Sequence, residues 1–184
     1  LLSARIFAQL FAGFGEKRDL SAIVRLQDGY RRLLIRLDAV VTEAARERAN
    51  YFSSAPDTEP VLRTLRRLRF DFVIIGRAAG SPLHGAAREP LLPPLERVGG
   101  TLRDHLAATA QALSARAAPP SLDAVNESFA AYAAAMGATR RSGLTRDLSD
   151  QDASRIFTVG FALEQLRRNL GDLNSRAAEL AAER

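Results

Sequence analysis

The chain has 184 residues, 47% of them hydrophobic and 26% charged, enough for one well-packed core without covalent staples. It holds no cysteine, which excludes disulfides, thiolate zinc sites and thiol catalysis together. The formal charge is +5 and Lys17 is the only lysine, so nearly all the positive charge sits on guanidinium groups, which suit interhelical ion pairs, anions and lipid headgroups alike.

Helical periodicity runs through the sequence, and no alternating β-branched run bounded by turn signals interrupts it, so the expected class is all-α. Leu1 to Phe14 is a short apolar helix carrying Arg5 and Gln9, without the charged start or small-residue cleavage site of a signal peptide. Gly13 and Gly15 break it, and Asp19 or Ser21 can cap a second helix running to about Phe52. Ile23, Leu26, Tyr30, Leu33, Leu37, Val40 and Ala44 mark its predicted buried stripe. Ser53 to Pro60 reads as a turn, with Asp57 or Thr58 as N-cap and Pro60 tolerated in the next first turn.

The third helix carries Val61, Leu65, Leu68, Phe72, Ile75 and Ala79 on one face, with Arg63, Arg66, Arg67 and Arg69 around them. Gly80, Ser81, Pro82 and Gly85 open a loop, and Pro90, Pro93 and Pro94 stand at the entrance of a fourth helix striped by Leu95, Val98, Leu102, Leu106 and Leu113. Gly99 and Gly100 in its middle imply a close helix approach or a bend. Pro119 and Pro120 end it, Ser121 caps a fifth helix with Leu122, Val125, Phe129, Tyr132 and Met136 inside, and Gly143 stops that one. Ser149 with Asp152 resembles a capping box. The last helix has the best heptad seam: Ile156, Val159, Leu163, Leu166, Leu170, Leu173, Ala177 and Leu180.

These stripes predict an antiparallel bundle of about six helices, four of them long. Residues 1–18 are expected as an apolar helix and linker, detached from the bundle of residues 19–184 or packed across its end. No stretch approaches the roughly 20 continuous apolar residues that span a bilayer, and the chain, starting at Leu1, reads as a segment of a longer protein.

Chemistry-bearing motifs are scarce. No phosphate-binding glycine loop, dinucleotide fingerprint, nucleophile elbow or helical zinc motif occurs, so no catalytic residue, cofactor or metal is assigned, and the expected protein is not an enzyme. His84 lies in the glycine-proline loop and His105 beside the fourth stripe, too far apart in sequence to suggest a ligand pair. Asp71 sits on an apolar helix with Arg67 and Arg69 near it, and Glu164 precedes Arg168 by four residues; both carboxylates are expected in structural ion pairs. Aromatics are not interleaved with the arginines as stacking platforms, so nucleic acid is not an expected partner.

The run LRRLRFDFVIIGRAA from Leu65 to Ala79, followed by Pro82 and Leu83, resembles the central signature of the soluble domain in the fusaric acid resistance (FUSC) and aromatic acid exporter family. Leu122 to Tyr132, GLTRDL from Gly143 and FALEQLRRNLGDL from Phe161 follow the same family order, so the resemblance covers most of residues 20–175. Where relatives often have His before the aspartate, this chain has Phe70, while Asp71, Gly76 and Arg77 match.

The resemblance implies a cytosolic domain of a bacterial inner-membrane efflux transporter, with the transmembrane part of the same polypeptide as its partner and an assembly or regulatory role. A stand-alone ligand-sensing or oligomerisation module, forming homo-oligomers, is the alternative. Arg5, Lys17 and Arg18 would then lie on the cytoplasmic, juxtamembrane side. An aromatic carboxylate needs a bidentate cation beside an apolar surface, and Arg77 and Arg168, both inside the family-like segments, are the candidates for binding it.

Overall fold

The computed structural model describes residues 1–51 and 57–182. Among them are six α-helices and two short 3-10 turns, with no strand. The helices are α1 (Leu2–Ala12), α2 (Leu20–Tyr51), α3 (Glu59–Ala78), α4 (Arg88–Ala115), α5 (Asp123–Arg141) and α6 (Asp150–Ala182). This is the all-α bundle that the periodicity predicts.

Local chemistry explains most boundaries. Asp19 caps α2, its Oδ1 accepting the Ala22 amide at 3.0 Å. Asp57 Oδ1 accepts the Glu59 amide at 3.1 Å, and Pro60 stands in the first turn of α3 as expected. Ser121 Oγ accepts the Asp123 amide at the start of α5. At α6 only half of a capping box forms: Ser149 Oγ accepts the Asp152 amide, and the Asp152 carboxylate accepts the Ser149 hydroxyl proton. α4 stops at Arg116, a left-handed residue at φ 51°, before the two prolines expected to end it. Pro93 and Pro94 lie inside α4, not at its entrance. The predicted end of the second helix at Phe52 and the turn over residues 53–56 lie outside the described residues.

The antiparallel arrangement follows from cross-helix pairs. On α3 and α6, Arg67 meets Asp172 and Asp71 meets Asn169, while Arg155 reaches the Ala78 carbonyl. α1 packs on α4 and also touches α2 and α3; α5 packs on α4. The seam expected on α6 is observed through Ala177, with Ile156, Val159, Leu163, Leu166, Leu170, Leu173 and Ala177 all buried, while Leu180 at its end is half-buried.

Two expectations need correction. Residues 1–14 are not detached but contribute to the core itself. Ile6, Phe7, Leu10, Phe11 and Phe14 belong to the same buried cluster as the leucines of α3, α4 and α6. Phe7 stacks edge-on to Phe72 with centroids 4.8 Å apart, and Tyr30 meets Phe72 at 5.1 Å. α1 is apolar on most of its surface because neighbours cover it on several sides. The second correction is on α2, where Leu33 and Val40 are 48% and 64% exposed and Val41 is buried instead. α2 has 32 residues against 20 in α3, roughly 48 Å against 30 Å at the helical rise, so its far half outruns the helix it packs on.

Candidate anion-binding cleft

The C-terminal end of α3 leaves carbonyl groups without intrahelical partners, and arginines from two other segments reach them, while a third fastens the loop that follows. Arg18, after α1, donates Nη1–H to the Gly76 carbonyl at 2.9 Å. Arg155 of α6 donates Nε–H to the Ala78 carbonyl at 2.9 Å and an Nη2 proton to the Ser81 carbonyl, while its Nη1 pairs with Asp152. Arg88 of α4 donates to the carbonyls of Gly15 and Leu83. Leu83 donates its own amide to the Phe14 carbonyl at 2.7 Å, so the loop after α3 is fastened to the end of α1. Gly13 is required for that approach: a Cβ there would lie 2.4 Å from Arg18 Cδ and 2.9 Å from the Ala79 carbonyl oxygen.

Cations therefore concentrate at this end of the molecule. Burial pulls the Arg18 guanidinium below the usual arginine range, and the neighbouring Arg155 charge adds to the shift. Beside them lies an open cleft of about 290 Å³ lined by Ile74, Arg77, Ala78, Ser154, Arg155 and Thr158. Arg77 is exposed, and among the described residues it makes no hydrogen bond or ion pair, so its fork of donors faces the cleft uncommitted. Ile74 and Ala78 supply an apolar wall, and the Ser154 and Thr158 hydroxyls a polar one, although the Thr158 hydroxyl donates to the Ser154 carbonyl.

The other predicted site residues are placed differently. Arg168 does not line this cleft; its Nε–H points to Glu164 Oε1 at 3.3 Å on the exposed face of α6. Glu164 pairs with Arg168 as expected and also with Arg167, whose hydrogen bond holds the Glu164 carboxyl below the ordinary range. Among the described residues Asp71 has no ion-pair partner, contrary to expectation. It is 1% exposed and accepts a hydrogen bond from Asn169 Nδ2 at 2.7 Å, while Arg67 pairs with Asp172 instead. Helical side chains lean toward the N-terminus, which carries the Arg67 guanidinium away from Asp71 and outward to the more exposed carboxylate. Burial pushes the Asp71 carboxyl up to about 6, against the opposing effects of the Asn169 hydrogen bond and of Arg67.

Arg88 and Arg155 are not singled out by the sequence reading, and Arg18 only as a juxtamembrane charge; their meeting at one helix end is decided by the fold. Asn169 had a usable signal: it lies three residues after Leu166 and four before Leu173, at the centre of the apolar seam. His105 is buried, with Nε2 3.0 Å from Asn174 Oδ1, and burial lowers its proton affinity; His84 is exposed. No cluster of three metal-ligating side chains occurs among the described residues, and none of their helices is long and apolar enough to cross a membrane. No protein-family model matches the chain, and neither a curated protein nor a solved structure matches it.

Proposed function

We propose that this chain is a non-catalytic helical domain that binds small aromatic carboxylates at the Arg77 cleft, serving an inner-membrane exporter of the fusaric acid resistance or aromatic acid exporter type from its cytoplasmic side. The observation that supports this reading is the uncommitted guanidinium of Arg77 next to the apolar Ile74 and Ala78. A carboxylate would take the bidentate fork of Arg77 while its ring lies on the apolar wall. Arg155, whose donors are held by the Ala78 and Ser81 carbonyls and Asp152, and Arg18, which reaches the Gly76 carbonyl through Nη1, would contribute field rather than contact. The family context rests on the likeness of residues 65–83, 122–132, 143–148 and 161–173.

Calorimetric titration of the domain with fusaric acid and simple aromatic acids tests the reading. Binding should be lost or weakened at least tenfold in Arg77→Ala, the equivalent of about 1.4 kcal/mol, and retained in Arg168→Ala, whose guanidinium is held by Glu164. Absence of heat at millimolar ligand would remove the domain from substrate recognition and leave that role to the transmembrane part.

A second reading, self-association, is favoured by one observation: Phe70 and Phe161 are 68% and 70% exposed on the outer faces of α3 and α6. Light scattering across a concentration range distinguishes a dimer covering these rings from a monomer that leaves them in water.

A further inference from the structure

At the centre of the α3–α6 interface Asp71 and Asn169 face each other, both buried, between the more exposed links of Arg67 with Asp172 and of Arg155 with the Ala78 carbonyl. The carboxyl group has one hydrogen bond there, from Asn169 Nδ2 at 2.7 Å. The amide oxygen of the same asparagine, Oδ1, is buried and has no donor among the described residues. A buried acceptor without a donor is costly, and it stands beside a buried carboxyl that has no counter-ion among the described residues. One missing hydrogen explains both facts.

The surrounding groups do not supply that hydrogen. On α3, Arg67 is spent on Asp172 of α6 at 2.8 Å, and Arg69 is exposed. From α2, the Tyr30 hydroxyl donates to the Leu65 carbonyl at 2.8 Å, and its own titration is pushed up to about 12 by burial. α1 brings the uncharged Ser3 against Tyr30, while its only charged side chain, Arg5, is exposed. His105 of α4 is engaged with Asn174, farther along α6.

We infer that Asp71 and Asn169 form a buried binding site for a single proton that joins α3 to α6. A proton taken from solvent adds to a carboxylate oxygen, and the new O–H donates to Asn169 Oδ1 while Asn169 Nδ2 continues to donate to the other oxygen. Along their facing edges a neutral carboxylic acid and a primary amide each present one donor and one acceptor, so both hydrogen bonds between Asp71 and Asn169 are then made and the amide oxygen has its donor. Loss of the proton leaves a desolvated charge with one neutral hydrogen bond and again orphans the amide oxygen. The folded chain holds this proton up to about pH 6, whereas the unfolded chain releases it near the ordinary carboxyl value of 3.8. Folding is therefore favoured by the site in full below that lower value, and the contribution is lost as pH rises through about 6.

The measurement is a carbon-13 NMR titration of the side-chain carboxyls of the wild-type chain, with the Asn169 side-chain amide followed in parallel. The Asp71 signal should move with a midpoint near pH 6 and the Asn169 amide at the same midpoint. Denaturant unfolding supplies the second arm: the part of the unfolding constant governed by this group should rise about tenfold between pH 5 and pH 7.5. Asp71→Asn, whose amide mimics the neutral acid, should lack that component. A midpoint at or below pH 4.5, or an Asp71→Asn variant with the same pH slope as wild type, overturns the proposal. Should the variant not fold, the wild-type midpoint decides alone.

Discussion

Gly99 and Gly100 are adjacent and identical in chemistry, yet the fold treats them differently. A Cβ on Gly99 would sit 2.6 Å from the Phe11 Cβ, whereas one on Gly100 meets nothing within 4 Å. α1 and α4 therefore approach over Gly99, and the expectation of a close approach, not a bend, holds at that residue. Gly99→Ala is expected to destabilise by about 1–3 kcal/mol through overpacking. Gly100→Ala should be neutral or stabilise by up to about 1 kcal/mol, the helix-propensity difference. Urea unfolding of the two variants side by side checks the contrast. Arg155 gives a second residue-scale test, because its donors reach the Ala78 and Ser81 carbonyls at once. Arg155→Ala should cost about 1–3 kcal/mol by leaving those carbonyls short of a donor, and Arg155→Lys should restore only part of the loss because an ammonium lacks the planar fork. Thermal melts of the two variants resolve the difference.

At the scale of elements, α1 is the most informative. Phe7 is fully buried and its ring contacts both Phe11 and Phe72, so Phe7→Ala is expected to cost about 3–5 kcal/mol, as large as any single truncation in the bundle. Leu166→Ala on α6, also fully buried, belongs in the range of about 2–5 kcal/mol. A small effect at Phe7 with a large one at Leu166 would return α1 to the appended role that the sequence suggests. The distal half of α2 is the opposite case. Past Leu34 the only buried side chain among the described residues of α2 is Val41, and polar links toward α3 are made by the pairs of Asp38 with Arg66 and of Arg48 with Asp57. Amide hydrogen exchange should be fastest among the helix interiors in residues 35–49 and slowest in the centres of α4 and α6.

For the whole molecule, the buried cluster runs without interruption from Ala4 through α2, α3, α4 and α5 to Leu173, so one core serves all six helices. Unfolding should be a single cooperative transition, with circular dichroism and tyrosine fluorescence giving coincident curves. Separate transitions would show that residues 1–18 and 19–184 are energetically distinct after all. The charge is also distributed unevenly at this scale. Arg18, Arg77, Arg88 and Arg155 gather around the end of α3, with Asp152 the acidic partner of Arg155 there. Most other arginines meet a carboxylate on their own or a neighbouring helix, and at exposed sites such pairs contribute little to stability.

What the sequence determined by itself is the set of properties that depend on neighbours three or four residues apart. The helical class, the seam of α6, the buried leucines of α4 and the pairing of Glu164 with Arg168 all follow from that spacing. Asp71 was legible as a core position too, lying three residues after Leu68 and four before Ile75. Its partner was not, because Asn169 is 98 residues away and a local pattern carries no information about which seams face each other. The same limit hid the role of α1: an apolar helix reads alike whether protein or lipid covers it, and only the packing of α2, α3 and α4 around Phe7 and Phe11 decides. It also hid the cleft, since Arg18, Arg77 and Arg155 become neighbours only when the end of α3 meets α6 and the α1–α2 linker, and long-range closure of that kind is a property of the tertiary fold.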